Sequence, residues 1–222
     1  MPPPLPRANS FSPPLSQDQI VLISLESVSL LLLLLSYFLL HPHAHPTLNQ
    51  IYLPLNAIRF LVYLNLSFSD PGIPNAPLPC FRGRPFSNRF CNQCKKMVPN
   101  LDHHCTWLNT CVGSANYGRF LTVVGLSIVV HAWGGLLCLS TVFDLTLAGL
   151  GIEGAIEPVA TGAKITLGLS GMISTLLTCA NSSLMMFHLW IISANLTTYD
   201  YMLLQRKEEM DRKNKVKVAP AS

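Results

Sequence analysis

The chain has 222 residues, half of them hydrophobic and 12% charged, with 15 Lys and Arg against 11 Asp and Glu for a formal net charge of +4. A soluble domain carries about 25% charged residues, so an ordinary water-soluble globule is excluded, and the mean hydropathy of +0.38 points to a membrane protein. The positive balance is no argument for nucleic acid, because it is gathered in segments that flank apolar runs.

Residues 1–18, "MPPPLPRANSFSPPLSQD", are rich in Pro and are expected to form a disordered tail. The first apolar run is Gln19–Leu40. It is too long for a signal-peptide core, and no small-residue cleavage site follows it, so it reads as a retained helix. Glu26 lies near one end and is expected at the interface. The second run, Gln50–Ser69, is interrupted by Pro54 and Arg59. A charge such as Arg59 near mid-membrane is costly unless it snorkels or faces the bundle interior. Phe120–Phe143 and Ile165–Ala194 are the third and fourth runs. Each run can cross a hydrocarbon layer of ~30 Å as a helix, the form in which a single segment satisfies its own backbone hydrogen bonds there.

The expected fold class is therefore an all-α membrane protein of four transmembrane helices, with a cytosolic, cysteine-rich, zinc-binding domain between the second and third. The expected divisions are a tail at 1–18, helices one and two with a short lumenal loop at 19–69, the cysteine-rich domain at 70–119, helices three and four with a lumenal loop at 120–194, and a cytosolic tail at 195–222. Orientation follows from Lys and Arg in short loops. Arg82, Arg84, Arg89, Lys95, Lys96 and Arg119 lie in the central segment, and Arg206, Lys207, Arg212, Lys213, Lys215 and Lys217 in the tail, whereas 41–49 and 144–163 carry none. Both termini and the central segment are thus expected to be cytosolic, where they also favour anionic lipid.

Five of the seven cysteines fall in the central segment: Cys80, Cys91, Cys94, Cys105 and Cys111. In a reducing compartment clustered Cys and His point to metal or catalysis rather than disulfides. Cys138 and Cys179, inside spans, read as apolar packing. The turn "HPHAHP" at His41–Pro46 reads as a stiff, solvated loop. Cys91-x-x-Cys94 has zinc-knuckle spacing, and His103, His104, Cys105 and Cys111 offer more ligands than one tetrahedral site takes. One metal plus a left-over Cys and His beside Asp102 would make an activated thiolate. Spacing alone does not divide the two histidines, and a purely structural zinc ribbon fits it equally well.

"DHHCTW" at Asp102–Trp107, followed by "CVGSANYGRF" at Cys111–Phe120, resembles the signature of the DHHC protein S-acyltransferases, or palmitoyltransferases. "DPG" at Asp70–Gly72 and "TTYD" at Thr197–Asp200 are similar to the family's other motifs, with Asp in place of its usual Glu in the second. The resemblance implies that Cys105 is the nucleophile, His103 its base and Asp102 the group that orients the base. It implies a zinc site of Cys91, Cys94, His104 and Cys111, supporting active-site roles for Trp107, Thr197 and Thr198, and acyl-CoA as substrate, its phosphates meeting Arg84, Arg89 and Lys95. It further implies transfer of a palmitoyl-like chain to membrane-proximal cysteines of protein substrates, in the endoplasmic reticulum or Golgi membrane, with no nucleic-acid partner.

The chain also departs from the family. The ligands of a second zinc site are expected at 77, 80, 90 and 97, where it has Pro77, Cys80, Phe90 and Met97. One zinc per chain is therefore expected, with Phe90 and Met97 making an apolar contact in place of the second. Thr106 stands where the family favours Pro. The rival expectation is a catalytically impaired, zinc-binding membrane adaptor of the same family.

Overall fold

The structure is a computed structural model that describes residues 6–39, 48–72, 87–143 and 161–218. Among the described residues, four helices are long and apolar enough to cross a membrane. They are α1 (Gln17–Leu39), α2 (Leu53–Phe68, preceded by a π-helical turn at Leu48–Tyr52), α3 (Tyr117–Val142) and α4 (Thr161–Ser193). Pro54 does not interrupt the second span. It occupies the first turn of α2, where a missing N–H removes no helical bond. The turn "HPHAHP" lies outside the described residues.

α3 is the most enclosed of the four spans. It packs along α4 and against α2, and α1 lies against α4. Small and hydroxylated residues allow that approach: Ser29 of α1 meets Ser170 and Ser174 of α4 at 3.4 and 3.3 Å. Leu33, Tyr52, Val130, Leu137, Cys138 and Leu167 fill the space between spans. Cys138 is packed as expected, whereas Cys179 is on the outer surface.

Glu26 faces the neighbouring spans. Its carboxylate accepts from Arg59 of α2 at 2.6 Å and pairs with His131 of α3 at 3.1 Å. Arg59 therefore takes the interior option among those open to it, and its Nε and Nη2 also donate to Asn56. A charge held inside a bundle needs such partners.

Between α2 and α3 the chain is not all-α. Two antiparallel hairpins form, β1 (Asn88–Cys91) with β2 (Lys96–Pro99) and β3 (His103–Cys105) with β4 (Thr110–Val112). The segments are three or four residues long, too short to show a helical period. Phe90 and Met97 stand opposite each other in the first hairpin. They are 53% and 46% exposed, so the pair closes no buried core, and Pro77 and Cys80 lie outside the described residues. A Cβ on Gly113 would sit 2.9 Å from the Pro99 carbonyl oxygen, so the second hairpin can lie this close to β2 only with glycine there.

The amino-terminal segment is not a detached tail. Arg7 N donates to Cys94 O at 3.0 Å and Ser10 N to Ser67 O at 2.9 Å. Arg7 Nη1 donates to Asn109 Oδ1, and Asn109 Nδ2 donates to the Ser10 carbonyl at 3.1 Å. Ser16 Oγ donates to Thr106 O, and Thr106 Oγ1 donates to Asp18. Where the family favours Pro, Thr106 thus supplies a hydroxyl that ties the β3–β4 turn to the start of α1. At the other end, "TTYD" opens a further helix, α5 (Thr198–Val218). Asp200 N donates to Thr197 Oγ1 at 3.1 Å and Thr197 N to Asp200 Oδ2 at 3.2 Å, a reciprocal capping box.

Candidate active site and metal centre

Two sites share the strand β3, which carries His103, His104 and Cys105 in sequence. Successive strand residues face opposite ways, and here the two histidines go to different partners.

His104 Nδ1 lies 3.7, 3.3 and 3.7 Å from the sulfurs of Cys91, Cys94 and Cys111. The Cys94 and Cys111 sulfurs are 3.4 Å apart. A tetrahedral zinc with Zn–S near 2.3 Å and Zn–N near 2.05 Å sets ligand atoms about 3.6–3.8 Å apart. The four ligand atoms lie within 4.8 Å of one another, so these residues fit zinc in number, type and spacing. The β1–β2 turn supplies Cys91 and Cys94, and β4 brings Cys111 opposite His104. Val98 and Leu101 close the cluster. When bound, zinc would tie the two hairpins together.

His103 turns to the other side. Its Nδ1 pairs with Asp102 Oδ2 at 2.7 Å. Burial works against the charged ring, but the Asp102 hydrogen bond, the adjacent Cys105 and the Asp102 charge outweigh it, and the pKa is pushed up to about 9. Asp102 is almost fully buried. Burial opposes its charge too, yet hydrogen bonds from His103 and Thr198 and the His103 charge hold its carboxyl below the usual range. Thr198 donates to this carboxylate twice, from N to Oδ1 at 3.0 Å and from Oγ1 to Oδ2 at 2.6 Å. The start of α5 therefore orients the acid that orients the imidazole. Cys105 is buried in the cluster that joins this hairpin to the spans, with Leu66, Leu108, Val112, Tyr117 and Phe120.

An open cleft of about 550 Å³ adjoins the site, lined by His103, His188, Leu184, Phe187, Thr198 and Met202 among others. Thr197 acts at one remove, as the cap of α5. Arg89 donates to Asp200 at 3.1 Å and lies 4.0 Å from the centre of the Tyr199 ring, so it braces β1 against the "TTYD" turn. Lys95 is exposed in the β1–β2 turn with φ 54°. Arg84 lies outside the described residues. Trp107 is half exposed in the β3–β4 turn, apart from the hydrogen-bonded group. "DPG" acts as a clasp: Asp70 Oδ1 accepts from Gly72 N at 2.8 Å and from Lys96 Nζ at 2.6 Å.

The sequence reading gave no place at this site to His188 of α4, whose Nδ1 is 2.8 Å from the Tyr117 hydroxyl and whose ring lies 5.5 Å from that of His103. A lone histidine in an apolar run gives little signal. The Thr-x-x-Asp capping pattern of Thr197 and Asp200 was readable and would have placed the start of α5.

Among the described residues, four membrane-length helices with a Cys₃His cluster between the second and third define a membrane protein with a zinc-type ligand set. The family model described as DHHC palmitoyltransferase matches residues 76–205, more than half of the chain, and the chain belongs to that family. It is 29% identical to probable protein S-acyltransferase 15 of Arabidopsis thaliana over 61% of this chain and 50% of that protein. It is 26% identical to palmitoyltransferase ZDHHC12 of Homo sapiens over 71% of this chain and 67% of that one. To palmitoyltransferase erf2 of Schizosaccharomyces pombe it is 29% identical over 60% and 37%. The chain spans about half the length of the first of these relatives.

Proposed function

We propose that this chain is a protein S-acyltransferase that moves a long fatty acyl group from acyl-CoA to protein cysteines through a thioester on Cys105. The observation that carries this reading is the division of labour on β3. His104 stays with the three metal-type cysteines, which leaves His103, backed by Asp102, in side-chain hydrogen-bond reach of Cys105.

The chemistry follows from the groups present. A thiolate is the attacking form of a cysteine. In this reading the attacking thiolate of Cys105 stands beside the His103 imidazolium, a ring that holds its proton up to about pH 9. The thiolate attacks the acyl-CoA carbonyl, the S–acyl bond to Cys105 forms, and the bond to CoA breaks. His103 gives its proton to the departing CoA sulfur. The now neutral ring takes the proton of an incoming cysteine thiol, which attacks the acyl-enzyme, and Cys105 leaves as the thiolate. Each step exchanges one thioester for another, so the enzyme lowers a barrier rather than shifting an equilibrium. Asp102 and Thr198 keep the imidazolium aimed throughout. For the CoA phosphates this reading offers the cations of Arg84, Arg89 and Lys95. In this reading both termini and the site face the cytosol, as the Lys and Arg distribution favours, in an endoplasmic reticulum or Golgi membrane. One zinc per chain fits the one Cys₃His ligand set among the described residues.

The test is incubation of purified protein with labelled palmitoyl-CoA, followed by mapping of the label. The expected result is hydroxylamine-sensitive label on Cys105, absent in Cys105→Ser. Label elsewhere, or undiminished label in Cys105→Ser, would leave the adaptor as the better account.

A further inference from the structure

His103 is anchored at Nδ1 by one hydrogen bond to Asp102. An imidazole held at one nitrogen can still rock about that bond and swing its other nitrogen relative to the Cys105 sulfur. What limits the rocking is contact with the ring itself. Phe120 meets it edge-on, with centroids 5.6 Å apart and planes at 74°. His188 meets it at 5.5 Å and 37°. Phe120 also packs edge-on against His188, at 4.9 Å and 70°, so the three rings form one wall.

His188 could serve as mere filling only if its polarity were incidental. It is 1% exposed, and an imidazole there loses its water unless a partner replaces it. That partner is the equally buried Tyr117, whose hydroxyl lies 2.8 Å from Nδ1. Tyr117 opens α3 immediately after the β4 turn, and His188 is near the end of α4. The bond therefore fixes the rotation of the His188 ring from the packing of the two most closely associated spans. A ring nitrogen of His188 also lies within 4.8 Å of a ring nitrogen of His103 and a carboxylate oxygen of Asp102.

We propose that the buried Tyr117–His188 pair is a positioning device that sets the ring plane of His103 toward Cys105. The proposal rests on the S-acyltransferase reading for its consequence, but not for its geometry.

The test uses the full-length, zinc-loaded protein in detergent or bilayers and compares His188→Ala, His188→Phe, Tyr117→Phe and His188→Ala with Tyr117→Phe. Two rates are measured: acylation of Cys105 by palmitoyl-CoA in a single turnover, and alkylation of Cys105 by iodoacetamide, followed by peptide mass spectrometry. Zinc content and thermal midpoint are read on each variant. A misaimed base slows both rates, so His188→Ala and His188→Phe should lower them about tenfold or more with zinc retained and with little change in the palmitoyl-CoA concentration for half-maximal rate. Tyr117→Phe should lower both by about fivefold, the equivalent of one neutral hydrogen bond, and should add nothing once His188 is gone. Parental rates in the folded His188→Phe protein would overturn the proposal. So would independent, multiplying effects of the Tyr117 and His188 substitutions. A parent that fails to acylate at all sinks the functional reading instead; alkylation of Cys105 still decides the positioning role. Should His188→Ala fail to fold, His188→Phe and Tyr117→Phe carry the comparison.

Discussion

Replacing Thr198 by Val removes one hydroxyl and keeps the side-chain shape. That hydroxyl donates to Asp102 Oδ2 at 2.6 Å, and the carboxylate it meets is 2% exposed. A hydrogen bond to a charged group contributes about 1.5–3 kcal/mol. The backbone donor of residue 198 and the His103 ring remain, so the cost should fall toward the lower end of that range. Loss of that bond would move the Asp102 pKa upward, toward the ordinary carboxylate range. The sign follows from the direction of the shift. A carboxyl held below its usual range adds stability at pH values above the ordinary carboxylate range, and that stability is lost as pH falls through the depressed value. Thr198→Val should therefore lower stability near neutral pH, move the acid limb of the stability curve upward, and slow acylation of Cys105 about tenfold through a less firmly held imidazole. Thermal unfolding across pH 3–7 and single-turnover acylation measure these effects. A destabilisation under about 0.5 kcal/mol with an unchanged rate would refute the claim that the start of α5 holds the acid in place.

The neighbouring histidines should give opposite phenotypes. His103→Ala should keep zinc and lose acylation by about 10²–10⁴-fold, whereas His104→Ala should release zinc and melt the two hairpins, both read by metal analysis and unfolding. Because the His103 pKa is raised from about 6.5 to about 9, its protonated ring, held by Asp102 and Cys105, should add roughly 3 kcal/mol of stability below about pH 6.5, lost as pH rises through 9. Midpoints from pH 6 to 10 should fall in the parent and stay flatter in His103→Gln. Arg59→Leu leaves Glu26 with only His131 inside the bundle, so it should cost about 3–5 kcal/mol. Glu26→Gln combined with Arg59→Leu should recover part of that loss; a double variant weaker than the single would refute the pairing.

The four spans were legible because hydrocarbon imposes a length and a polarity on any helix that crosses it, and both are written locally in Gln17–Leu39, Leu48–Phe68, Tyr117–Val142 and Thr161–Ser193. The residue types of the metal set and of the thiol site were legible for a similar reason: few side chains bind zinc or attack a thioester. Their division was not, because adjacent histidines differ only in the direction that a three-residue strand gives them, and the strand exists only when paired with β4. Contacts from far along the chain were hidden for the same reason. Asp18 on Thr106, Thr198 on Asp102, Glu26 between Arg59 and His131, and His188 against His103 each join residues at least 33 positions apart through packing of elements whose own sequences do not name their neighbours. Sequence set which groups the membrane and the metal would demand; only the tertiary fold chose which of them meet, since a hydrogen bond between distant residues depends on where whole helices settle against one another.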